Sequence, residues 1–155
     1  MLRRLTKEQV VELALRLDGI DWNWTDVELA ATLQAAQLTP LDSLDNASVP
    51  IEHPDLPGVR GFVVKLEERS IVLEINITLT EVSLRDNVQA QAEMDTSFQE
   101  YLAVLISTFG DPDDYPKETV IVWDRGGVLL KLRRLGIAVD LSMESVEGVR
   151  IYNNG

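Results

Sequence analysis

Cysteine is absent from this 155-residue chain, and histidine occurs once, at His53. The first absence excludes disulfides and thiolate chemistry and leaves zinc only carboxylates and one imidazole as ligands. A reducing compartment fits that composition. The second absence leaves a single ordinary base near neutral pH. It sits in "IEHPD" with no nucleophile patterned around it, which reads as a loop residue without chemistry. No segment approaches the 18 or so uncharged apolar residues that a membrane-spanning helix requires. The opening "MLRRLTKEQVVELALRLDG" mixes charge with apolar residues where a signal peptide would run apolar without interruption. A cytoplasmic protein that engages no membrane is the expectation. There is no phosphate-cradling glycine loop, "RGG" reading as a hairpin turn. "DPDDYP" lacks the glycine and glutamate of a calcium loop. Glu67 and Glu68 fall in a polar turn, as solvated charge rather than a catalytic pair. No catalytic residue, metal ligand or cofactor site is expected.

Basic residues are scarce in two long stretches. The formal net charge is −12 and the isoelectric point is near 4.4, which opposes nucleic-acid binding, because that affinity comes from neutralising phosphates. Between Arg16 and Arg60 there is no Lys or Arg, while Asp18, Asp21, Asp26, Glu28, Asp42, Asp45, Glu52 and Asp55 contribute −8. Between Arg85 and Lys117 the same pattern gives −7, through Asp86, Glu93, Asp95, Glu100, Asp111, Asp113 and Asp114. The remainder of the chain is then +3. If the two blocks meet in space, one side of the molecule carries a strong negative field.

The apolar content of 45% over this length supports one domain, residues 1–155, with a genuine core. In "LTKEQVVELALRLDG", Thr6 with Gln9 has the spacing of a capping box and Leu5 with Val10 that of a hydrophobic staple. Val10, Leu13, Ala14 and Leu17 make one helical face that Gly19 can end. "WTDVELAATLQAAQL" repeats the device with Thr25 and Glu28, Trp24 stapled to Leu29, and Pro40 closing it. The pair reads as a helical hairpin. The Pro- and Asp-rich residues 39–58 read as an irregular or edge connection with a short strand near Ser48 to Ile51. "GFVVKLEERSIVLEINITL" is a hairpin turning at Glu67 to Ser70, its second strand alternating Ile71, Leu73, Ile75, Ile77 and Leu79 with Val72, Glu74, Asn76 and Thr78. A long helix follows, capped by Asp86 with Gln89, carrying Phe98, Leu102, Leu105 and Phe109 on one face and stopping at Gly110. Thr96 with Gln99 marks a break or kink near Asp95.

The last third reads as a meander, Thr119 to Asp124, Val128 to Arg134 and Gly136 to Met143, with "EGVRIYNN" as a weak strand or tail. Turns at Arg125–Gly126 and Leu135–Gly136 set Trp123 against Val128 and Leu132 against Val139, with Lys131 opposite Asp140 and Arg133 opposite Ala138. Lys131 and Arg133 are then outward strand side chains, and the three basic residues, Arg134 included, are not a nucleic-acid patch. The order of elements predicts an α+β fold: an antiparallel sheet of about five or six strands, a hairpin plus a three-stranded meander, with an N-terminal helix pair and one long central helix on one face.

A W-x-W ("DWNWT") opening the second helix, a late "FGDP", a strand ending in Trp123 and the closing "VLLKLRRLGIAVDLSM" resemble an uncharacterised actinobacterial domain family of unknown function. The resemblance implies a small single-domain cytoplasmic protein without catalytic residues. Several such families lie beside genes for secreted polymorphic toxins, which implies an immunity role. That expectation is a non-enzymatic protein that neutralises a co-encoded toxin through its acidic surface. A clustered negative surface would steer it toward a partner with a basic cleft. The partner-binding candidates are Asp42, Asp45 and Asp55 from one block and Asp111, Asp113 and Asp114 from the other, with Trp22 or Tyr115 as aromatic anchor. A secretion or folding chaperone is the alternative and would show a contiguous apolar patch. An enzyme would need a deep pocket collecting buried carboxylates. Whether the chain is a monomer or a homodimer is left open by the sequence.

Overall fold

In the computed structural model, which describes residues 1–66 and 70–154, four helices pack with one eight-stranded antiparallel sheet. The helices are α1 (Lys7–Asp18), α2 (Asp26–Ala35), α3 (Val88–Phe109) and α4 (Val146–Asn154). The strands are β1 (Thr39–Pro40), β2 (Ser48–Glu52), β3 (Arg60–Leu66), β4 (Ile71–Thr78), β5 (Asp114–Lys117), β6 (Val120–Asp124), β7 (Val128–Arg134) and β8 (Val139–Ser145). Their order across the sheet is β1-β2-β3-β4-β8-β7-β6-β5. Two four-stranded meanders, each preceded by helix, are therefore joined where β4 meets β8. The turn expected at Glu67 to Ser70 lies largely outside the described residues.

The first helix forms as its caps dictate. Thr6 accepts from the Gln9 backbone N–H while Gln9 answers at the Thr6 N–H, and Val10, Leu13, Ala14 and Leu17 are buried. The second helix departs from expectation. Thr25 makes no capping bond; its hydroxyl donates to Asn23 Oδ1, and Glu28 reaches back to the Asn23 N–H. Trp24 and Leu29 are nonetheless buried as a staple would have them. This helix ends at Ala35, well before Pro40, which belongs to β1. The expected helical hairpin is also corrected: α1 lies along α3, and α2 rests on β1 and β4. Asn87, not Asp86, caps α3 by accepting from the Ala90 N–H. The helix runs unbroken through Thr96, whose hydroxyl donates to the Ala92 carbonyl and so adds no competing cap.

The core lies between the helices and one sheet face. Tyr101 is fully buried there and donates to the Leu5 carbonyl at 2.5 Å, and burial pushes its phenol up to about 12. Trp123, equally buried, donates from Nε1 to the Gly110 carbonyl at 2.9 Å, tying the end of α3 to β6. The β3–β4 register shifts between Val64 and Lys65. Lys65 faces Val72 while Val64 faces Glu74, so Leu73 is the extra residue of a bulge. Val72 joins the main core in place of the expected Ile71 and Leu73. Leu73 instead packs against Gly148 of α4.

Three expectations for the last third need correction. Residues 146–154 form α4, not a strand or tail. "DPDDYP" contributes an edge strand, β5. Trp123 pairs with Leu130, Leu132 with Leu141, and Arg133 with Asp140, each two residues from the predicted partner. A slip of two leaves every side chain on its own face, which is why the apolar residues still reach the core.

Candidate functional site

Sheet order decides where the acidic residues go. Asp42 and Asp45 lie in the β1–β2 connection and Asp55 in the β2–β3 connection, at one edge; Asp111, Asp113 and Asp114 lie at the entry to β5, the other edge. The candidates of the two blocks stay apart, although elsewhere the blocks approach each other: Asp18 of the first and Asp113 of the second both act to raise the pKa of Arg125. Several of their members are also spent on internal pairs. Asp18 holds Arg125 at 2.8 Å, Asp26 holds Lys65 at 2.8 Å, Asp95 holds Arg134 at 2.9 Å and Glu100 holds Arg4 at 2.7 Å. Basic residues scattered elsewhere in the sequence fold back onto the blocks that lack them. His53 is buried, its Nδ1 accepting from the Asp55 backbone N–H at 3.0 Å, and burial lowers its pKa against the pull of Asp55.

The six acidic candidates are all exposed, and the β5 edge is the denser group. Asp113 accepts from the Asp124 N–H at 2.7 Å and Asp114 from the Tyr115 N–H at 2.8 Å. Asp111, Asp113 and Asp114 precede or open the strand that carries Tyr115, which is 55% exposed, and the Asp113 bond ties them to exposed Asp124 on β6. Trp22 lies elsewhere, in the α1–α2 connection, half-buried.

A second grouping was not anticipated. On the sheet face that points away from the core, Arg133 donates from Nε and Nη2 to Asp140 at 2.8 and 2.9 Å and reaches Glu74 at 3.4 Å. Asn76 donates to the same Asp140 at 2.8 Å, and Lys131 pairs with Glu144 at 2.9 Å. Burial pushes the Glu74 carboxyl up, with Arg133 and Asn76 pulling the other way. For Arg133, burial works against the charge, but the bonds it donates to Asp140, together with the charges of Asp140, Glu74 and Glu144, outweigh it and hold the guanidinium above its usual range. Each carboxylate here has a cation or amide, so the cluster joins β4, β8 and β7 laterally.

A concavity opens where the α1–α2 connection, the β6–β7 turn and α4 converge at one end of the sheet. It encloses about 630 Å³, within the range of ligand pockets. Trp22 and Trp24 form one wall, their rings 4.7 Å apart and tilted by 31°. Trp24 takes a φ of 59° to turn the chain into α2, and Gly126 and Gly127 have φ of 77° and 91° on the opposite rim. Arg125 donates to Asp18 at 2.8 and 3.0 Å and lies 4.8 Å from the Phe109 ring centroid. The Asp18 bond raises its pKa. Of the sequence candidates only Trp22 reaches this pocket.

The W-x-W, the glycine after α3 and the strand tryptophan thus occupy linked structural positions. A model for a family of unknown function, DUF6301, matches residues 8–145. The chain belongs to that family. No curated protein and no solved structure matches it. The DUF6301 match runs from the first turn of α1 to the last residue of β8, so it takes in the whole sheet and the α1–α2 connection. Among the described residues no helix is long and apolar enough to cross a membrane, and no three His, Cys, Asp or Glu side chains are grouped to hold a metal ion.

Proposed function

We propose that this protein is a cytoplasmic, non-enzymatic immunity protein that binds and neutralises a co-encoded toxin domain bearing a basic surface. The observation that supports the reading is the β5 edge, where exposed Asp111, Asp113 and Asp114 lead into the strand that carries exposed Tyr115, and Asp113 is bonded to exposed Asp124 of β6. Negative charge next to an exposed tyrosine suits a basic partner, the carboxylates speeding encounter and the ring anchoring it. Asp42, Asp45 and Asp55 lie at the other edge, and we propose that the partner engages the β5 edge alone.

The test is co-purification with the product of the neighbouring gene, together with rescue of cells expressing that product. Asp111→Lys with Asp114→Lys should abolish capture and rescue, and added salt should weaken binding by screening. No complex and no rescue with the native chain would reject the proposal. A chaperone reading has one observation in its favour: Pro50, Phe62 and Val64 are neighbours on the outward face of β2 and β3, with Phe62 43% and Val64 36% exposed. Capture that survives high salt and is lost in Phe62→Ser would select it.

A further inference from the structure

None of the β5-edge carboxylates lines the 630 Å³ pocket, so that cavity needs its own account. Its lining offers an indole pair, an apolar floor that includes Ile71, Met143 and Ile151, and charged groups of which three are acidic (Asp18, Asp21, Glu147) and one is basic (Arg125). The basic group is already engaged, by two bonds to Asp18 and by the Phe109 ring. An anionic ligand therefore finds no free cation there. Glu147 is shared with Arg150 on α4, and Asp21 has no ion partner among the described residues. A flat cation laid over Trp22 would meet the negative face of the indole and the Asp21 carboxylate together, while its apolar stem rests on the floor.

We propose that this pocket receives the guanidinium of an arginine side chain from a protein partner. Arginine suits it better than lysine because a planar, weakly hydrated cation stacks on an indole, whereas an ammonium is a compact point charge that keeps its water. The proposal rests on the partner-binding reading only for the source of the side chain. The groups that would hold the cation, Trp22 and Asp21, belong to the α1–α2 connection and not to the β5 edge.

The test titrates the ¹⁵N-labelled full chain with N-acetyl-arginine amide, with its uncharged citrulline counterpart, and with free arginine, reading the three indole N–H signals. Trp123, buried and bonded to Gly110, is the internal reference. The arginine amide should shift the Trp22 and Trp24 signals saturably and leave Trp123 in place, and the citrulline compound should not shift them. Asp21→Asn, at an exposed loop position, should weaken binding about fivefold, the worth of an exposed ion pair. No saturable shift, or an equal shift from citrulline, overturns the proposal. Free arginine binding far more tightly than the blocked amide also overturns it, since the pocket would then read the ends of a free small molecule. A silent pocket in a chain that still captures its partner removes this proposal alone; a responsive pocket in a chain that captures nothing removes the partner reading alone.

Discussion

Glu74 shows how one residue can be held against its own preference. Burial raises its pKa, opposed by Arg133 and Asn76. With the folded value above the unfolded one, the unfolded chain releases its proton first as pH rises. The stability Glu74 contributes is therefore complete below the ordinary carboxylate range and is lost as pH climbs through the folded value. Glu74→Gln keeps a neutral group at every pH. In urea unfolding, the stability of the variant relative to the native chain should improve between about pH 4 and about pH 7. A difference that stays flat across that interval would remove burial as the dominant cause. His53 acts with the opposite sign, its depressed value giving stability that fades as pH falls, but it is common to both chains and cancels in the comparison.

Among the elements, β3 lies so close to β4 at Gly61 that a Cβ there would come within 2.1 Å of the Asn76 carbonyl and 2.9 Å of Ile77 Cα. Gly61→Ala must push two backbones apart and should cost about 3 kcal/mol, in the upper range for overpacking. Gly126→Ala, with open space around it but a φ of 77°, meets only left-handed backbone strain of about 1 kcal/mol. Chemical denaturation of both variants checks the ranking, and equal losses would refute it. The elements themselves were largely legible in the residues. The Thr6 box, the α3 face and the outward positions of Lys131 and Arg133 follow from periodicities of 3.6 and 2 that any neighbour preserves. Register was not legible, because a shift of two conserves the face and only the β6–β7 and β7–β8 turns choose between alternatives. Residues 146–154 were misread because the segment is short and its Tyr and Ile suit strand as well as helix. It becomes helix where the chain leaves β8 and packs on Val72 and Leu73. The pocket was illegible for a different reason: its walls are drawn from segments between Leu17 and Ile151, and only Trp22 advertised itself.

Taken whole, the molecule is a finite sheet with two blunt margins. β1 is two residues long and contains Pro40; β5 contains Pro116 and starts at Asp114. Proline removes a ladder donor and charge discourages pairing, so neither margin invites a second sheet. The chain should sediment as a monomer at micromolar concentration. Pro116→Val with Asp114→Thr should then introduce concentration-dependent association, and a native chain that already dimerises through β5 would contradict the argument. The middle of the sheet carries the other consequence. Glu74 pairs with Glu144 and Thr78 with Asp140, partners 70 and 62 residues apart, whereas the neighbouring ladders join strands that follow one another in the chain. Each meander can zip from a short turn, but the seam must wait until the chain has wound α3 and returned. The entropy of closing that loop is met only there. Refolding should thus be paced by the β4–β8 ladder, with halves that form quickly and are slow to find each other.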